Sequence, residues 1–218
     1  MADLRSSYLG LELRNPVIAS AGPLSQSVED IKALADAGLG AVTMFSLFEE
    51  QLLRDAERLV ELEEQFADIT PEAISFFPEV PRAEADAVTN YLRLVEKGAQ
   101  AIDVPLIASL NGASRGGWVH SARSLQDAGA AALELNIYYV SGDLTLGGEE
   151  VEQRHLDILR AVKSEVSIPV AVKLSPYFSS VGAMCQRLDR AGADGLVLFN
   201  RFLQPDIDLE RLEVVSGV

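Results

Sequence analysis

Basic charge is scarce in this chain. Its 218 residues carry 18 Lys and Arg against 33 Asp and Glu, a formal net charge of −15. That balance argues against nucleic acid or an anionic membrane as a general partner, because both are gripped through basic patches. Cysteine is scarcer still. The single Cys185 excludes an internal disulfide framework and a Cys-rich metal site, and it suits a cytosolic protein. No apolar run approaches the roughly 20 residues that span a bilayer, so no membrane partner is expected. The N-terminus, MADLRSSYLG, lacks the apolar core of a signal peptide. His120 and His155 fall on helical stretches without metal-ligand spacing, so both read as structural and no metal is expected. No G-x-G-x-x-G follows the first strand, where ASAGPLSQS stands instead. GASRGGW (112–118) is neither a Walker A loop nor a nucleophile elbow, although its backbone could approach a flat ligand closely.

What is present is globular in composition, 48% hydrophobic and 23% charged. An internal repeat sets the architecture. ALADAGLGAVTMF, SLQDAGAAALELN and RLDRAGADGLVLFN each show a helix end, Ala-Gly, then an apolar run. Gly38, Gly129 and Gly192 stand where a helix C-terminus needs a left-handed residue. A second trio, NPVIASAG, VPLIASLNG and IPVAVKLSP, opens strands with proline. Interleaved, the two sets predict six strands near 17–20, 41–45, 106–110, 132–136, 170–174 and 195–199. Helices are predicted from Ser27 or Glu29 to Ala37, Ser114 to Ala128, Glu149 to Glu165 and Ser179 to Ala191. Such alternation means α/β, and repeated units of this size point to a (β/α)8 TIM barrel with about six βα units present.

The connection between the second and third strands is too long, at roughly 60 residues where one helix would do. Two amphipathic helices are expected there, Phe48 to Phe66 and Arg82 to Lys97, the second ending at Gly98. Between them, 66–82 reads as an insertion loop near the face that carries the site, or as a merely structural excursion.

Barrel sites form at the C-terminal ends of the strands. Those ends carry Ser20 with Ala21 and Gly22, Phe45 with Ser46, Ser109 with Asn111, Asn136, Lys173 and Asn200. Side chains alternate along a strand, so Lys173 shares a face with Ala171, and Asn136 with Glu134. An ammonium in an apolar strand must be paired, reach the rim, or serve a ligand. Glu134 is either its ion-pair partner or a catalytic group, and Asn136 and Asn200 either cap strand ends or face a ligand. A polar ring with one lysine and no triad suggests a cofactor more than hydrolysis. A lysine at the pyrimidine edge of a flavin would stabilise the negative charge of the reduced ring.

The segments YLGLELRNPVIASAGPLS, SLFEEQ, PLIASLNG, LELNIYY, IPVAVKLSPYF and VLFNRF run in order along nearly the whole chain. With them the chain resembles the dihydroorotate dehydrogenase family, in a dihydroorotate dehydrogenase-like branch near the soluble class 1 enzymes. The resemblance implies a flavin-binding (β/α)8 barrel, FMN as cofactor, and hydride transfer with a dihydropyrimidine-like small molecule, as in pyrimidine biosynthesis. It implies Ser20, Ala21, Gly22, Ser46, Asn111, Asn136 and Lys173 as cofactor-binding residues, and Asn136 and Asn200 as substrate-binding residues. It also implies a homodimer as the assembly to test.

The departures are specific. Class 1 enzymes keep a cysteine base in N-[LI]-S-C-P-N, whereas here Tyr139 stands at that position, in Asn136-Ile137-Tyr138-Tyr139-Val140-Ser141. A free tyrosine, with a pKa of about 10, is a poor base at neutral pH. The lysine expected after the second strand is replaced by Phe45, and ISFFPEVP stands where N-x-x-G-L-P-N is expected. The expectation is therefore a substrate other than dihydroorotate, or very slow turnover of it. Six strands are also two short of a closed barrel. The chain is read as a single domain over 1–218, incomplete at its C-terminal end and part of a protein about 100 residues longer. Such a chain would lack most of the phosphate grip on FMN and expose the outer edges of its first and sixth strands. Two other readings stay open, a non-redox phosphate-binding barrel enzyme and a degenerate, non-catalytic barrel.

Overall fold

The computed structural model describes residues 2–48, 83–111, 115–137, 145–200, 205–208 and 213–216. The chain opens with a hairpin, β1 (Ser6–Tyr8) and β2 (Leu11–Leu13). Leu9 and Gly10 make its turn with φ of 56° and 74°, the pair of positive values that a tight hairpin turn demands. Alternating units follow: β3 (Ile18–Ala19), α1 (Val28–Asp36), β4 (Ala41–Phe48), α2 (Ala83–Ala101), β5 (Leu106–Asn111), α3 (Arg115–Asp127) and β6 (Ala132–Asn136). They continue through α4 (Gly148–Lys163), β7 (Val170–Leu174), α5 (Val181–Arg190) and β8 (Gly195–Leu198). A separate antiparallel hairpin joins β9 (Pro205–Asp208) to β10 (Glu213–Ser216).

Strands β3 to β8 form one parallel sheet in chain order, an open portion of a (β/α)8 barrel. Among the described residues, β3 pairs with β4 and β8 with β7. The repeat explains the joints. The three Ala-Gly glycines end α1, α3 and α5 with φ of 95°, 95° and 100°, a region that costs a residue with a Cβ about 1–2 kcal/mol. Ser27 and Ser180 open α1 and α5 by accepting from the amides of Asp30 and Ala183.

The sheet has two apolar faces. Outward residues such as Val42, Leu106, Leu133 and Val172 pack against the helices through Ile31, Val95, Leu125 and Leu159. Each such side chain contributes about 1.5–3 kcal/mol when buried. The inward face holds a smaller cluster, in which Leu9 and Leu13 of the first hairpin meet Ala41, Ile107, Ala132 and Ala171. That hairpin therefore plugs the N-terminal end of the strands and leaves the C-terminal end to polar groups.

Two expected boundaries differ. Helix α2 does not stop at Gly98 but runs to Ala101. Gly98 is a packing position: a Cβ there would lie 2.9 Å from Ile31 Cδ1 and 3.3 Å from Leu106 Cδ2. Strand β4 does not end at Phe45 but runs to Phe48, with a one-residue slip against β5 between Thr43 and Ser46. The predicted helix over 48–66 and the insertion loop at 66–82 lie outside the described residues, apart from Phe48 itself.

Candidate functional site

Parallel register places Ser46, Ser109, Glu134 and Ala171 side by side on the inward face of the sheet. One step higher, Asn136 stands opposite Lys173, and Lys173 opposite Val197. Ala171 belongs to the inward cluster, and strand alternation turns Lys173 the same way two residues later.

These side chains, the polar ring of strand ends, are linked by one continuous chain of hydrogen bonds from Lys173 to Asn200. Lys173 Nζ donates to Glu134 Oε1 at 3.2 Å. Ser109 Oγ donates to the same oxygen at 3.3 Å and shares a 2.8 Å contact with Ser46 Oγ. Asn136 Nδ2 donates to Ser46 Oγ at 3.3 Å, and Asn200 Nδ2 donates to Asn136 Oδ1 at 2.7 Å. The Asn200 backbone N–H donates in turn to Leu174 O at 2.7 Å. Lys173 is 9% exposed, Asn136 6% and Glu134 5%, so the charges must be met by partners rather than by water.

Of the sequence-predicted residues, Ser46, Asn136, Lys173 and Asn200 are thus brought together, with Glu134 and Ser109 between them. Ser20, Ala21 and Gly22 follow β3 and lead into a single 3₁₀ turn, Pro23–Ser25. Asn111 closes β5 on the same face as Ser109 but takes no part in the ring's bonds. Tyr139 lies outside the described residues.

Three residues the sequence did not mark touch this region. Tyr8 reaches the inward side from the first hairpin, and burial, with Glu134 adding to it, raises its phenol above the usual value. Ser25 and Tyr91 bind the backbone of Phe45, and no local sequence signal announces either. His155 is structural, as expected. It is 2% exposed, its Nδ1–H donates to Val151 O at 2.9 Å, and its ring meets Phe178 edge-on. Burial is the main cause that lowers its pKa. Among the described residues, no group of three or more His, Cys, Asp or Glu could hold a metal ion, and no helix is long and apolar enough to cross a membrane.

The sequence profile of the family described as Dihydroorotate dehydrogenase matches residues 3–217. The catalytic subunit of dihydroorotate dehydrogenase B (NAD(+)) from Anoxybacillus flavithermus is 29% identical over 212 residues, covering 92% of this chain and 62% of that protein. The subunit of the same name from Shouchella clausii is 27% identical over 224 residues, covering 95% of this chain and 66% of that protein. The chain thus spans about two thirds or less of the length of these curated relatives. Among solved structures, phosphonopyruvate hydrolase in complex with oxalate and Mg++ superposes with a TM-score of 0.50 at 18% identity, covering 87% of this chain and 59% of that one. At that identity the likeness concerns the fold alone.

Proposed function

The chain belongs to the dihydroorotate dehydrogenase family, and from that premise we infer that its polar ring binds FMN and serves hydride transfer with a dihydropyrimidine-like small molecule. The observation that carries this reading is Lys173, a buried ammonium whose hydrogen-bond acceptor among the described residues is Glu134. An ammonium has three donors, so two remain for a ligand at the mouth of the barrel. The donor set suits the pyrimidine edge of a flavin, which offers carbonyl and ring-nitrogen acceptors and gains negative charge on reduction. When bound, FMN would supply the hydride chemistry.

The chain's own residues then divide the work. Lys173 holds positive charge at that edge, and Glu134 fixes its position. Asn136, oriented by Ser46 and Asn200, presents its amide near both cofactor and substrate. Asn200 faces the substrate, and Asn111, Ser46 and the Ser20–Gly22 backbone line the cofactor. Tyr139 stands at the position of the family's cysteine base, and a phenol, with an ordinary pKa of about 10, is a poor base at neutral pH, so abstraction of a proton from dihydroorotate is expected to be slow. The substrate is then a related dihydropyrimidine-like compound, or dihydroorotate turned over poorly. The reading carries a cytosolic setting and a homodimer as the assembly to test.

Anaerobic mixing of FMN-loaded protein with dihydroorotate tests it, followed through loss of the oxidised-flavin absorbance. Slow bleaching is expected, and Tyr139→Cys is expected to speed it. Bleaching at the ordinary rate of an efficient enzyme would overturn the altered-base argument, and failure to load with FMN would overturn the reading itself.

A further inference from the structure

The slip in β4 decides which residue faces the ring. From Thr43 to Ser46 the strand advances three residues, while β5 advances two, from Ile107 to Ser109. With strict alternation Phe45 would stand opposite Ser109 and face inward, and Ser46 would face the helices. The extra residue reverses this. Ser46 meets Ser109, while Phe45 packs with the outer core, its ring edge-on to Tyr91 at 4.9 Å and 81°.

A bulge takes its residue out of the ladder, so the Phe45 peptide needs other partners. It has two. Its amide donates to Ser25 Oγ at 2.8 Å, and its carbonyl accepts from Tyr91 OH at 2.7 Å. Each partner also reaches a second segment, Ser25 the stretch after β3 and Tyr91 strand β5. Ser25 Oγ donates to Gly22 O at 3.1 Å, and Tyr91 OH lies 3.3 Å from Ser109 O. Ser25 is 1% exposed and Tyr91 4%, so neither bond competes with water.

We propose that Ser25 and Tyr91 are positioning residues for the site: by holding the bulged Phe45 peptide they turn Ser46 into the polar ring and set its distance from the Ser20–Gly22 segment. The proposal rests on the reading of that ring as an FMN site. Its content is that Ser25, Tyr91 and Ser46 act as one unit toward the cofactor, although Ser25 and Tyr91 do not touch it.

The test is a set of double-mutant cycles with FMN as the probe, read by flavin fluorescence and by the absorption spectrum of the bound flavin. Ser25→Ala, Tyr91→Phe and Ser46→Ala are each expected to weaken FMN binding roughly tenfold, the scale of one buried hydrogen bond. Ser25→Ala/Ser46→Ala and Tyr91→Phe/Ser46→Ala are expected to be no weaker than Ser46→Ala alone, because residues acting as a unit are not additive. All three single variants should shift the bound-flavin spectrum alike. Single variants that bind as the wild type does, or losses that multiply in the doubles, would overturn the proposal. Tyr91→Phe keeps the ring contact with Phe45, so its cycle decides the matter if Ser25→Ala does not fold. If the wild type binds no FMN, the functional reading fails. Hydrogen exchange at the Phe45 amide then decides the positioning claim: faster exchange in Ser25→Ala supports it, and unchanged exchange overturns it.

Discussion

Lys173 and Glu134 face each other across neighbouring strands, Nζ to Oε1 at 3.2 Å, both almost wholly buried. The pair is diagonal rather than directly opposed, since the register sets Glu134 against Ala171 and Lys173 against Asn136. Breaking one half of such a pair leaves an uncompensated buried charge, which costs about 3–5 kcal/mol. Glu134→Gln keeps the shape and the Oε1 acceptor but leaves the buried ammonium without its countercharge, so a loss of that order is expected in urea unfolding. Glu134→Gln/Lys173→Met should recover much of it. A neutral Glu134→Gln would mean that the ammonium is solvated after all.

Asn136 is a two-sided joint, donating to Ser46 and accepting from Asn200. Asn136→Leu removes both bonds at nearly constant volume and leaves two polar groups short of a partner. Each unsatisfied group costs about 1–3 kcal/mol, so a lowered melting temperature is expected, together with weaker FMN binding in a fluorescence titration. Asn200→Ala should cost less, because Asn136 keeps its bond to Ser46.

His155 gives stability a pH dependence whose sign follows from burial. Its folded pKa lies below the unfolded value of 6.5, so the native state prefers the neutral ring. Stability from this residue is full above 6.5. It falls as the pH drops from there toward the folded pKa, because the unfolded chain takes up the proton first. His155→Gln should flatten that part of the curve when urea midpoints are compared between pH 7.5 and pH 5.5. Arg154 opposes protonation and Glu152 favours it, so Glu152→Gln should steepen the loss.

At the other end of the sheet, Asp194 Oδ2 accepts from the Val170 amide at 2.7 Å and from Lys163 Nζ at 2.6 Å. The ion pair is part-exposed, so Lys163→Met should cost only a few tenths of a kcal/mol to about 1 kcal/mol. Asp194→Ala also strips the first amide of β7 of its acceptor and should cost about 1–3 kcal/mol. Equal losses would show that the amide bond contributes nothing. Thermal unfolding of the two variants separates these outcomes.

The sheet was legible because the repeat marks every joint physically. An Ala-Gly helix end and a strand-opening proline bracket six apolar runs, and all six are strands of the barrel sheet. Alternation then carried Lys173 and Asn136 to the inward face. It failed at β4, because Thr43-Met44-Phe45-Ser46 contains no glycine or proline to announce a bulge, and the groups that hold it come from Ser25 and Tyr91, 20 and 46 residues away. Gly98 misled for a related reason. A glycine near an expected helix end reads as a stop, whereas here it admits Ile31 and Leu106 from outside the helix. The Leu9-Gly10 hairpin was also missed, because strands of three residues give too short a run to show alternation.

Lys173 and the ring around it are proposed as an FMN site. Titration of the protein with FMN, comparing wild type with Lys173→Met by flavin fluorescence and absorption, tests it most directly. Saturable binding by the wild type is expected, with a perturbed flavin spectrum, and binding at least tenfold weaker in the variant, the scale of a charge-assisted hydrogen bond. No saturable binding by the wild type, or equal affinity and identical spectra in the two proteins, would contradict it.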